Sequence, residues 1–533
     1  IVIFEKGEYI SYANCGLPYY IGNVIKNRNS LFVQTAASFN KRFNIDVRTL
    51  TEVVSIHAEE KYIIAKNQVD GKEYKESFDK LVLSPGAEPI RPALPGILNE
   101  GIFTLRNVAD TDYIKSYVQE KTTRRAVVIG AGFIGLEMAE NLHELGIEVS
   151  IIEMGNQILA PLDFEMAAIT QQHIRSKGVQ LHLNSMVTGF EKSDAGLLVL
   201  LKDQEAIPAD LVIMSIGVKP DTRLAQMAGL KIGPAKGIWV NEYLQTSDPD
   251  IYAVGDAIEF ENPISNQSMN TYLAGPANKQ GRLVANNIVQ GNTHSYKGAI
   301  NTAIVKVFDL TVASAGMASK NLNRVGIQHV VSTTHNGSHA GYYPGAKQMS
   351  IQLSFDANNG RLYGAQIVGY DGVDKRIDVL SSVIQRAGNI EELVEFEHAY
   401  APPFSSAKDP VNMAGFVAEN IILKKHEIFH WNEIEQLPED AVLIDVRTIL
   451  EYENGHIPGA IHIPVDDLRS RIHEINPTQQ IYLYCQGGLR GYLAQQILKQ
   501  NGIHSSLNLS GGYQVWNTCM LEKKVYKEME LFA

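Results

Sequence analysis

The residues best suited to covalent redox chemistry are the three cysteines of the sequence, Cys15, Cys485 and Cys519. Cys15 stands between Asn14 and Gly16 in a polar, turn-forming stretch, whereas a structural cysteine usually sits inside an apolar run. This setting predicts an accessible thiol that can form a mixed disulfide, a persulfide or a sulfenic acid. Three widely spaced cysteines predict neither a disulfide framework nor a zinc site, so we expect no bound metal and a reducing, cytoplasmic location.

The other thiol with informative surroundings is Cys485, which ends the apolar run 481–484 and precedes a glycine-rich turn. Arg490 lies five positions later and opens a helical pattern. Backbone N–H groups of the turn, together with the N-terminus of that helix, would point at the sulfur and favour a thiolate. Cys519 lacks such neighbours, and we predict no role for it.

Composition restricts the class of protein. A chain of 533 residues predicts three or four domains, and a net charge of −12 argues against nucleic acid as a partner, because no basic surface could collect phosphates. No apolar stretch reaches the roughly 18 residues that span a bilayer, and no signal peptide is evident, so we expect no membrane association. The expected partners are small molecules.

The strongest local pattern is a dinucleotide-binding unit over residues 125–153. An apolar strand leads into Gly130, Gly132 and Gly135, then a helical pattern and a second strand follow. These glycines allow a tight turn, close approach of a pyrophosphate and close packing of helix on strand. Glu153 ends the second strand, where a carboxylate accepts hydrogen bonds from a ribose 2′-OH and repels a 2′-phosphate. We therefore predict NADH as the reductant, with NADPH as the alternative.

The opening of the chain, "IVIFEKG", repeats the pattern of "VSIIEMG" at 149–155. If the two are equivalent, Glu5 ends the second strand of another dinucleotide unit. Its glycine turn would then lie about 18 residues before Ile1, so we expect the first βα unit of that domain to be absent from the sequence.

Further segments are typical of a flavin domain that is divided in the sequence. Asp256 follows an apolar strand pattern, at the position where an aspartate can bond the ribityl chain or phosphate of FAD. Two other apolar runs end in the turns that contain Gly86 and Gly217. This order of segments resembles the two-dinucleotide flavoprotein disulfide reductases from residue 1 to about 424. The resemblance implies FAD as a cofactor and assigns further residues to the cofactor sites: Ser11, Asn14, Glu137 and Ala274.

The position of a second redox cysteine distinguishes members of this group. Enzymes similar to glutathione reductase carry a C-x4-C pair, but Tyr20 stands where the second cysteine would be. The stretch "SYANCGLPYYIG" resembles the active-site segment of coenzyme A disulfide reductases, in which one cysteine pairs with CoA. NADH oxidases and peroxidases, which use a cysteine sulfenic acid, are the alternative.

The C-terminal half of the chain favours the coenzyme A disulfide reductases over the oxidases and peroxidases. The segments "YAPPFSSAKDPVNMAGF" and "HAGYYPGAKQ" resemble the dimerisation domain of coenzyme A disulfide reductases. The resemblance implies a homodimer in which Tyr400 and Tyr342 (or its neighbour Tyr343) of one subunit reach the reactive sulfur of the other. In the same family the neighbourhood of residues 38–43 holds the adenosine phosphate of CoA. The resemblance therefore assigns the binding of CoA to Ser38, Phe39 and Arg42.

Cys485 and Arg490, with "DVR" at 445–447 and "GHIPGA" at 455–460 upstream, resemble a rhodanese domain, which carries sulfane sulfur as a cysteine persulfide. Phosphatases share a Cys-x5-Arg loop that is one residue longer. The presence of both thiols leads to the hypothesis of an NADH-dependent flavoprotein reductase of CoA persulfide, CoA disulfide or polysulfide. A flavin oxidase or peroxidase, and a sulfur-relay protein without reductase activity, remain alternatives.

The predicted fold class is α/β, with two Rossmann-like dinucleotide-binding domains, an α+β dimerisation domain and a C-terminal α/β rhodanese domain. The predicted boundaries are 1–108 and 246–305 for the FAD domain, 109–245 for the NAD domain, 306–424 for the dimerisation domain and 428–533 for the rhodanese domain.

Overall fold

The computed structural model describes residues 1–121, 123–194 and 196–531. The chain divides into two compact units, which are described one at a time. The first comprises residues 1–158 and 178–301, and the second comprises residues 159–177 and 302–533. Within the described residues, no helix is both long and apolar enough to cross a membrane.

The first unit contains a mixed set of short strands that come from both ends of its sequence. Strand Val2–Phe4 pairs in parallel with Asp46–Arg48, and Leu81–Leu83 pairs in parallel with Ile251–Ala253. This second pairing joins segments that are far apart in the chain, as a divided domain requires. An antiparallel sheet is formed by Thr51–His57, Tyr62–Asn67 and Glu73–Ser77. The accompanying helices are Leu17–Ile21, Ala36–Phe43 and Ala274–Gln290.

The first unit also contains a five-stranded parallel sheet. In spatial order its strands are Ile102–Phe103, Leu211–Met214, Arg125–Ile129, Glu148–Ile152 and Gln180–His182. The middle strands are buried along almost their whole length, because a parallel sheet is covered on both faces. Helix Val108–Glu120 precedes the central strand, helix Phe133–Glu144 follows it, and a small antiparallel sheet is formed by Val187–Ser193, Gly196–Leu201 and Ile207–Ala209.

The second unit begins with a five-stranded antiparallel sheet. Its strands, in spatial order, are Ala303–Val307, Leu310–Gly316, Leu362–Gly369, Gln348–Phe355 and Val330–Gly337. The helices of this part are Ser319–Arg324, Val373–Gln385, Ile390–Glu395 and Pro410–Ile422. Strand Leu362–Gly369 lies in the centre and is buried at every position.

The second unit ends with a five-stranded parallel sheet. In spatial order the strands are Ile428–Phe429, Ser506–Leu509, Ile481–Tyr484, Val442–Asp445 and Ile461–His462. Its helices are Ile449–Glu453, Leu489–Gln500 and Gly512–Leu531. Helix Phe164–Ser176, which precedes the strand Gln180–His182 in sequence, packs in this unit against Gly512–Leu531, where Arg175 forms an ion pair with the buried Glu522.

Candidate active site

Cys15 lies on a short turn that is anchored by apolar side chains. The turn Asn14–Gly16 leads into helix Leu17–Ile21, and Leu17 and Ile21 are buried. Cys15 itself is exposed. The folded segment therefore holds a thiol at the surface of a rigid support.

Burial and two nearby carboxylates both raise the pKa of the Cys15 thiol. Desolvation by the surrounding segments raises the pKa of Cys15, and the negative charges of Glu137 and Asp256 raise it further. Glu137 accepts a hydrogen bond from the Tyr19 hydroxyl at 3.4 Å. Burial raises the pKa of Glu137 to about 7, against the opposing effect of that hydrogen bond. The charge that opposes the Cys15 thiolate thus changes near neutral pH.

Removing the negative charge of Glu137 is expected to make the Cys15 thiol more reactive. In Glu137→Gln we expect alkylation of Cys15 by iodoacetamide at pH 8 to be about three- to tenfold faster, since loss of a nearby negative charge lowers the pKa of the thiol by up to one unit. At pH 6 most of Glu137 is already protonated in the wild type, so the two rates should converge. The rate is followed by mass spectrometry on the holoenzyme, with the exposed Glu144→Gln of the same helix as control. Equal rates at pH 8 would contradict this account.

Tyr20 occupies the position of a second cysteine and is itself buried. The ammonium of Lys115 lies 4.1 Å from its ring centroid and donates a hydrogen bond to its carbonyl oxygen. Cys15 therefore has no cysteine neighbour along this helix with which to form an internal disulfide.

The glycine turn of the parallel sheet has the shape that a pyrophosphate requires. Gly130 has a φ of 100°, and a Cβ on Gly135 would lie 2.0 Å from the Gly130 carbonyl oxygen. A Cβ on Gly132 would meet nothing within 4 Å, so the backbone is open there. Glu153 accepts a hydrogen bond from the Ala131 N–H at 2.9 Å, which holds its carboxylate beside the turn.

Glu5 has the same local geometry as Glu153. Glu5 Oε1 accepts a hydrogen bond from the Gly7 N–H at 2.6 Å, and Glu153 Oε1 accepts one from the Gly155 N–H at 2.8 Å. Each carboxylate follows a strand that pairs in parallel with a strand later in the sequence. The repeat seen in the sequence is thus a repeat in structure.

The structure brings Gly86 and Asp256 to a common arginine. A Cβ on Gly86 would lie 2.6 Å from Arg106 Nη2. Burial raises the pKa of Asp256, and the charge of Arg106 opposes that rise. Arg106 was not identified from the sequence, since no motif surrounds it. Gly217, at a φ of 116°, follows strand Leu211–Met214 in the other half of this unit.

The remaining residues assigned to cofactors and CoA lie at accessible positions of the first unit. Ala274 is exposed at the first position of helix Ala274–Gln290, and Asn14 is exposed beside Cys15. Ser11 is partly buried in a short strand. The residues assigned to CoA share helix Ala36–Phe43, which is partly exposed along its whole length: Ser38, Phe39 and Arg42.

In the second unit, Tyr342 and Tyr400 form a pair. Their hydroxyl oxygens are 2.8 Å apart, and both side chains are exposed. The hydrogen bond raises the pKa of the Tyr342 hydroxyl. Of the two tyrosines considered from the sequence, Tyr342 and not Tyr343 bonds to Tyr400.

Cys485 lies at the carboxyl end of the central strand of its parallel sheet and is 2% exposed. Its sulfur accepts a hydrogen bond from the Gly488 N–H at 3.1 Å. Gly488 has a φ of 116°, a conformation that favours glycine, and it precedes helix Leu489–Gln500. Arg490 in the first turn interacts with the sulfur and, more strongly, with Glu451. This loop can hold a negatively charged sulfur or a persulfide.

Comparison with known protein families agrees with the geometry of both cysteine sites. Residues 1–283 match the family model described as pyridine nucleotide-disulphide oxidoreductase, which covers more than half of the chain. The chain belongs to this family. Residues 302–410 of the oxidoreductase match the dimerisation domain of the same family, and residues 430–519 match a rhodanese-like domain.

Individual relatives and solved structures are similar to the chain over most of its length. The oxidoreductase is 35% identical to a coenzyme A disulfide reductase of Staphylococcus haemolyticus, in a match that covers 79% of this chain and 94% of the relative. Reduced Bacillus anthracis CoADR-RHD is a solved structure with 47% identity and a TM-score of 0.96, covering 98% of this chain and 94% of that one. An NAD-dependent persulfide reductase from A. fulgidus has 37% identity and a TM-score of 0.90, with 97% and 95% covered.

These matches confirm the predicted fold class and the resemblance to coenzyme A disulfide reductases with a C-terminal rhodanese domain. They also confirm that the chain is an enzyme of the oxidoreductase class. The domain boundaries and the roles of individual residues stay predictions.

Proposed function

We propose that this oxidoreductase uses FAD and NADH to reduce CoA persulfide, CoA disulfide or polysulfide through the single thiol of Cys15. Its rhodanese domain would handle sulfane sulfur at Cys485. The observation that carries the proposal is the exposed Cys15 beside Glu137, with a buried tyrosine at the position of a second cysteine. The names of the relatives, a coenzyme A disulfide reductase and a persulfide reductase, support the substrate class.

The residues of the first unit fit two dinucleotides. The open backbone at Gly132 and the carboxylate of Glu153 suit NADH. Glu5, Arg106 and Asp256 would hold FAD, because Glu5 repeats the geometry of Glu153 and the other two place complementary charges beside Gly86. Bound FAD supplies the two-electron link between NADH and sulfur.

The chain's own residues act on the sulfur–sulfur bond. The Cys15 thiolate attacks the substrate disulfide or persulfide, forming one S–S bond as another breaks. With CoA disulfide the leaving group is CoA thiolate, and with CoA persulfide it is sulfide. A phenol can stabilise a departing thiolate by donating a hydrogen bond or a proton. We assign this role to Tyr400 and Tyr342, contributed across a homodimer, and the matched dimerisation domain supports that assembly. We assign the CoA moiety to Ser38, Phe39 and Arg42.

At the other site, Cys485 would accept or deliver sulfane sulfur, with CoA as the mobile carrier between the two thiols. The hydrogen bond from Gly488 and the neighbouring Arg490 support the binding of a terminal sulfur there.

The test is steady-state oxidation of NADH by the holoenzyme with CoA persulfide, CoA disulfide, polysulfide or hydrogen peroxide as the acceptor, repeated with NADPH. We expect turnover with the three sulfur acceptors, and NADH to be preferred because Glu153 repels a 2′-phosphate. Fast oxidation of NADH by oxygen or peroxide alone would instead indicate an oxidase or peroxidase. A protein without flavin absorbance that still transfers sulfur at Cys485 would indicate a sulfur relay.

A further inference from the structure

Cationic side chains beside Cys485 are neutralised by carboxylates. Arg490 Nη1 and Nη2 each donate a hydrogen bond of 2.6 Å to one oxygen of Glu451, a bidentate pair at the edge of the loop. Such hydrogen bonds are shorter and stronger than those between neutral groups. The pair of Arg490 and Glu451 has no net charge, and Arg490 keeps only its weaker interaction with the Cys485 sulfur. The hydrogen bonds from Arg490 hold the pKa of Glu451 at about 2, so the carboxylate is charged in the neutral range.

Glu451 is fixed in this position by its own helix. It belongs to the capping box of helix Ile449–Glu453, in which Thr448 N–H and Thr448 Oγ1 donate to Glu451 Oε2 at 3.0 and 2.8 Å. The carboxylate therefore makes contacts on two sides, and a rotation that released Arg490 would also break the cap.

A second arginine beside the loop is neutralised in the same way. Arg447 Nε and Nη2 donate to Asp445 at 3.0 and 2.7 Å, and both side chains are buried. Its remaining Nη1 donates to the side chain of Gln486, inside the loop, at 3.3 Å. Arg447 thus shapes the loop without adding net positive charge.

The neighbouring histidine is neutral as well. His335, from the antiparallel sheet of the same unit, lies against the loop, since a Cβ on Gly487 would be 3.4 Å from its Cδ2. Its Nε2 is 3.1 Å from the Gly511 carbonyl oxygen, which can only accept, so Nε2 carries the proton and Nδ1 accepts from Ser350 at 2.8 Å. Burial lowers the pKa of His335 to about 4, which leaves the ring uncharged in the neutral range.

Apolar side chains are exposed on the two helices that carry this pair. Leu450, next to Glu451, is 66% exposed, and Leu489, next to Arg490, is also 66% exposed. Leu493, one turn along the same helix, is 45% exposed. These surfaces suit the carbon chain of an organic thiol and give no hydrogen bonds to a sulfonate group.

We propose that Glu451 selects the sulfur donor of Cys485: by occupying Arg490, its carboxylate favours organic persulfides and disfavours the thiosulfate dianion. The inference rests on the proposed function only in taking Cys485 as a sulfur acceptor. In the favoured reaction, Cys–S⁻ and R–S–SH give Cys–S–SH and R–S⁻, so the outer sulfur moves and the organic thiolate leaves. In the disfavoured one, Cys–S⁻ and S–SO₃²⁻ give Cys–S–S⁻ and sulfite. The dianion must then approach Glu451 while the two described arginines beside the loop, Arg447 and Arg490, are both paired with carboxylates.

The experiment measures the rate of persulfide formation at Cys485 by mass spectrometry of the holoenzyme without NADH. The donors are thiosulfate and the persulfide of N-acetylcysteamine, which is uncharged apart from its own sulfur. For the wild type we expect the persulfide to react faster. In Glu451→Gln, which keeps the capping oxygen and loses the charge, we expect the thiosulfate rate to rise at least tenfold relative to the persulfide rate.

Glu474→Gln is the matched control, because Glu474 forms an exposed bidentate pair with Arg471 elsewhere in the same domain. It should leave the ratio of the two rates unchanged. An unchanged ratio in Glu451→Gln would overturn the proposal. The wild type alone gives a second test. The rate of its reaction with thiosulfate should not fall as the ionic strength increases. A steep fall would also overturn the proposal, because it would show that a free cation attracts the dianion. If neither donor modified Cys485, the function proposed for the rhodanese domain would fail, an outcome distinct from an unchanged ratio.

Discussion

Cys15→Ser is expected to lower kcat/KM for NADH-dependent reduction of CoA persulfide and CoA disulfide by about a thousandfold or more, as removal of a covalent nucleophile does. A serine hydroxyl fits the exposed turn Asn14–Gly16, so the fold and the flavin absorbance should be retained. The loss should therefore be in chemistry and not in folding. The measurement is steady-state NADH oxidation with each CoA compound as acceptor.

Cys485→Ser is the matched control for this variant. The two thiols lie in different compact units, and only Cys15 is proposed to take electrons. The control should keep NADH-dependent reduction of CoA disulfide, while it loses uptake of sulfane sulfur in the rhodanese domain. If Cys15→Ser kept full activity on both CoA compounds, the single-thiol mechanism would be wrong.

Features that depend on short stretches of sequence were predictable. The spacing of Gly130, Gly132 and Gly135 follows from local backbone geometry, and the structure has the expected turn and helix. The equivalence of Glu5 and Glu153 was visible because a strand, a carboxylate and a glycine recur in a fixed order, and both carboxylates cap the backbone in the same way.

Pairings between distant residues were not predictable, because no periodic pattern specifies which charged side chains meet. The pair of Arg175 and Glu522 joins positions 347 residues apart. Arg490 was placed in the rhodanese-like loop from its spacing to Cys485, but its bidentate partner Glu451 was not identified, although Glu451 lies in a helix that a capping pattern marks. The charge of the rhodanese site is thus a property of tertiary contacts, whereas its loop is a property of the sequence.

Arg376→Ala is expected to destabilise the second unit by about 3–5 kcal/mol, because it leaves a buried carboxylate without its partner. Arg376 and Asp409 have side chains that are 1% and 0% exposed, and they form a bidentate pair with distances of 3.1 and 2.8 Å. Arg376 Nη2 also donates to the Ser338 carbonyl oxygen at 2.7 Å. This one guanidinium therefore joins the segment before Tyr342 to the segment after Tyr400.

The consequence for activity follows from the tyrosine pair. Since the two hydroxyls meet only when both segments are held in place, Arg376→Ala should also lower kcat/KM for the CoA compounds. Calorimetry of the holoenzyme should show the unfolding transition of this unit lowered by roughly 10 °C. Arg386→Ala is the matched control. Its pair with Glu392 is 63% and 42% exposed, and exposed pairs contribute about 0–1 kcal/mol.

The pH dependence separates loss of charge pairing from loss of packing. Burial alone would raise the pKa of Asp409, but the hydrogen bonds from Arg376 and Ser405 hold it below its usual range in the wild type. A carboxylate with a lowered pKa stabilises the fold above its unfolded-state pKa, and that contribution is lost as the pH falls through the folded-state pKa. Without Arg376 the pKa of Asp409 rises, and protonation relieves the buried charge as the pH falls. The difference in stability between wild type and Arg376→Ala should therefore shrink between pH 7 and pH 4. A difference that stays constant over this range would mean that Arg376 acts by packing alone.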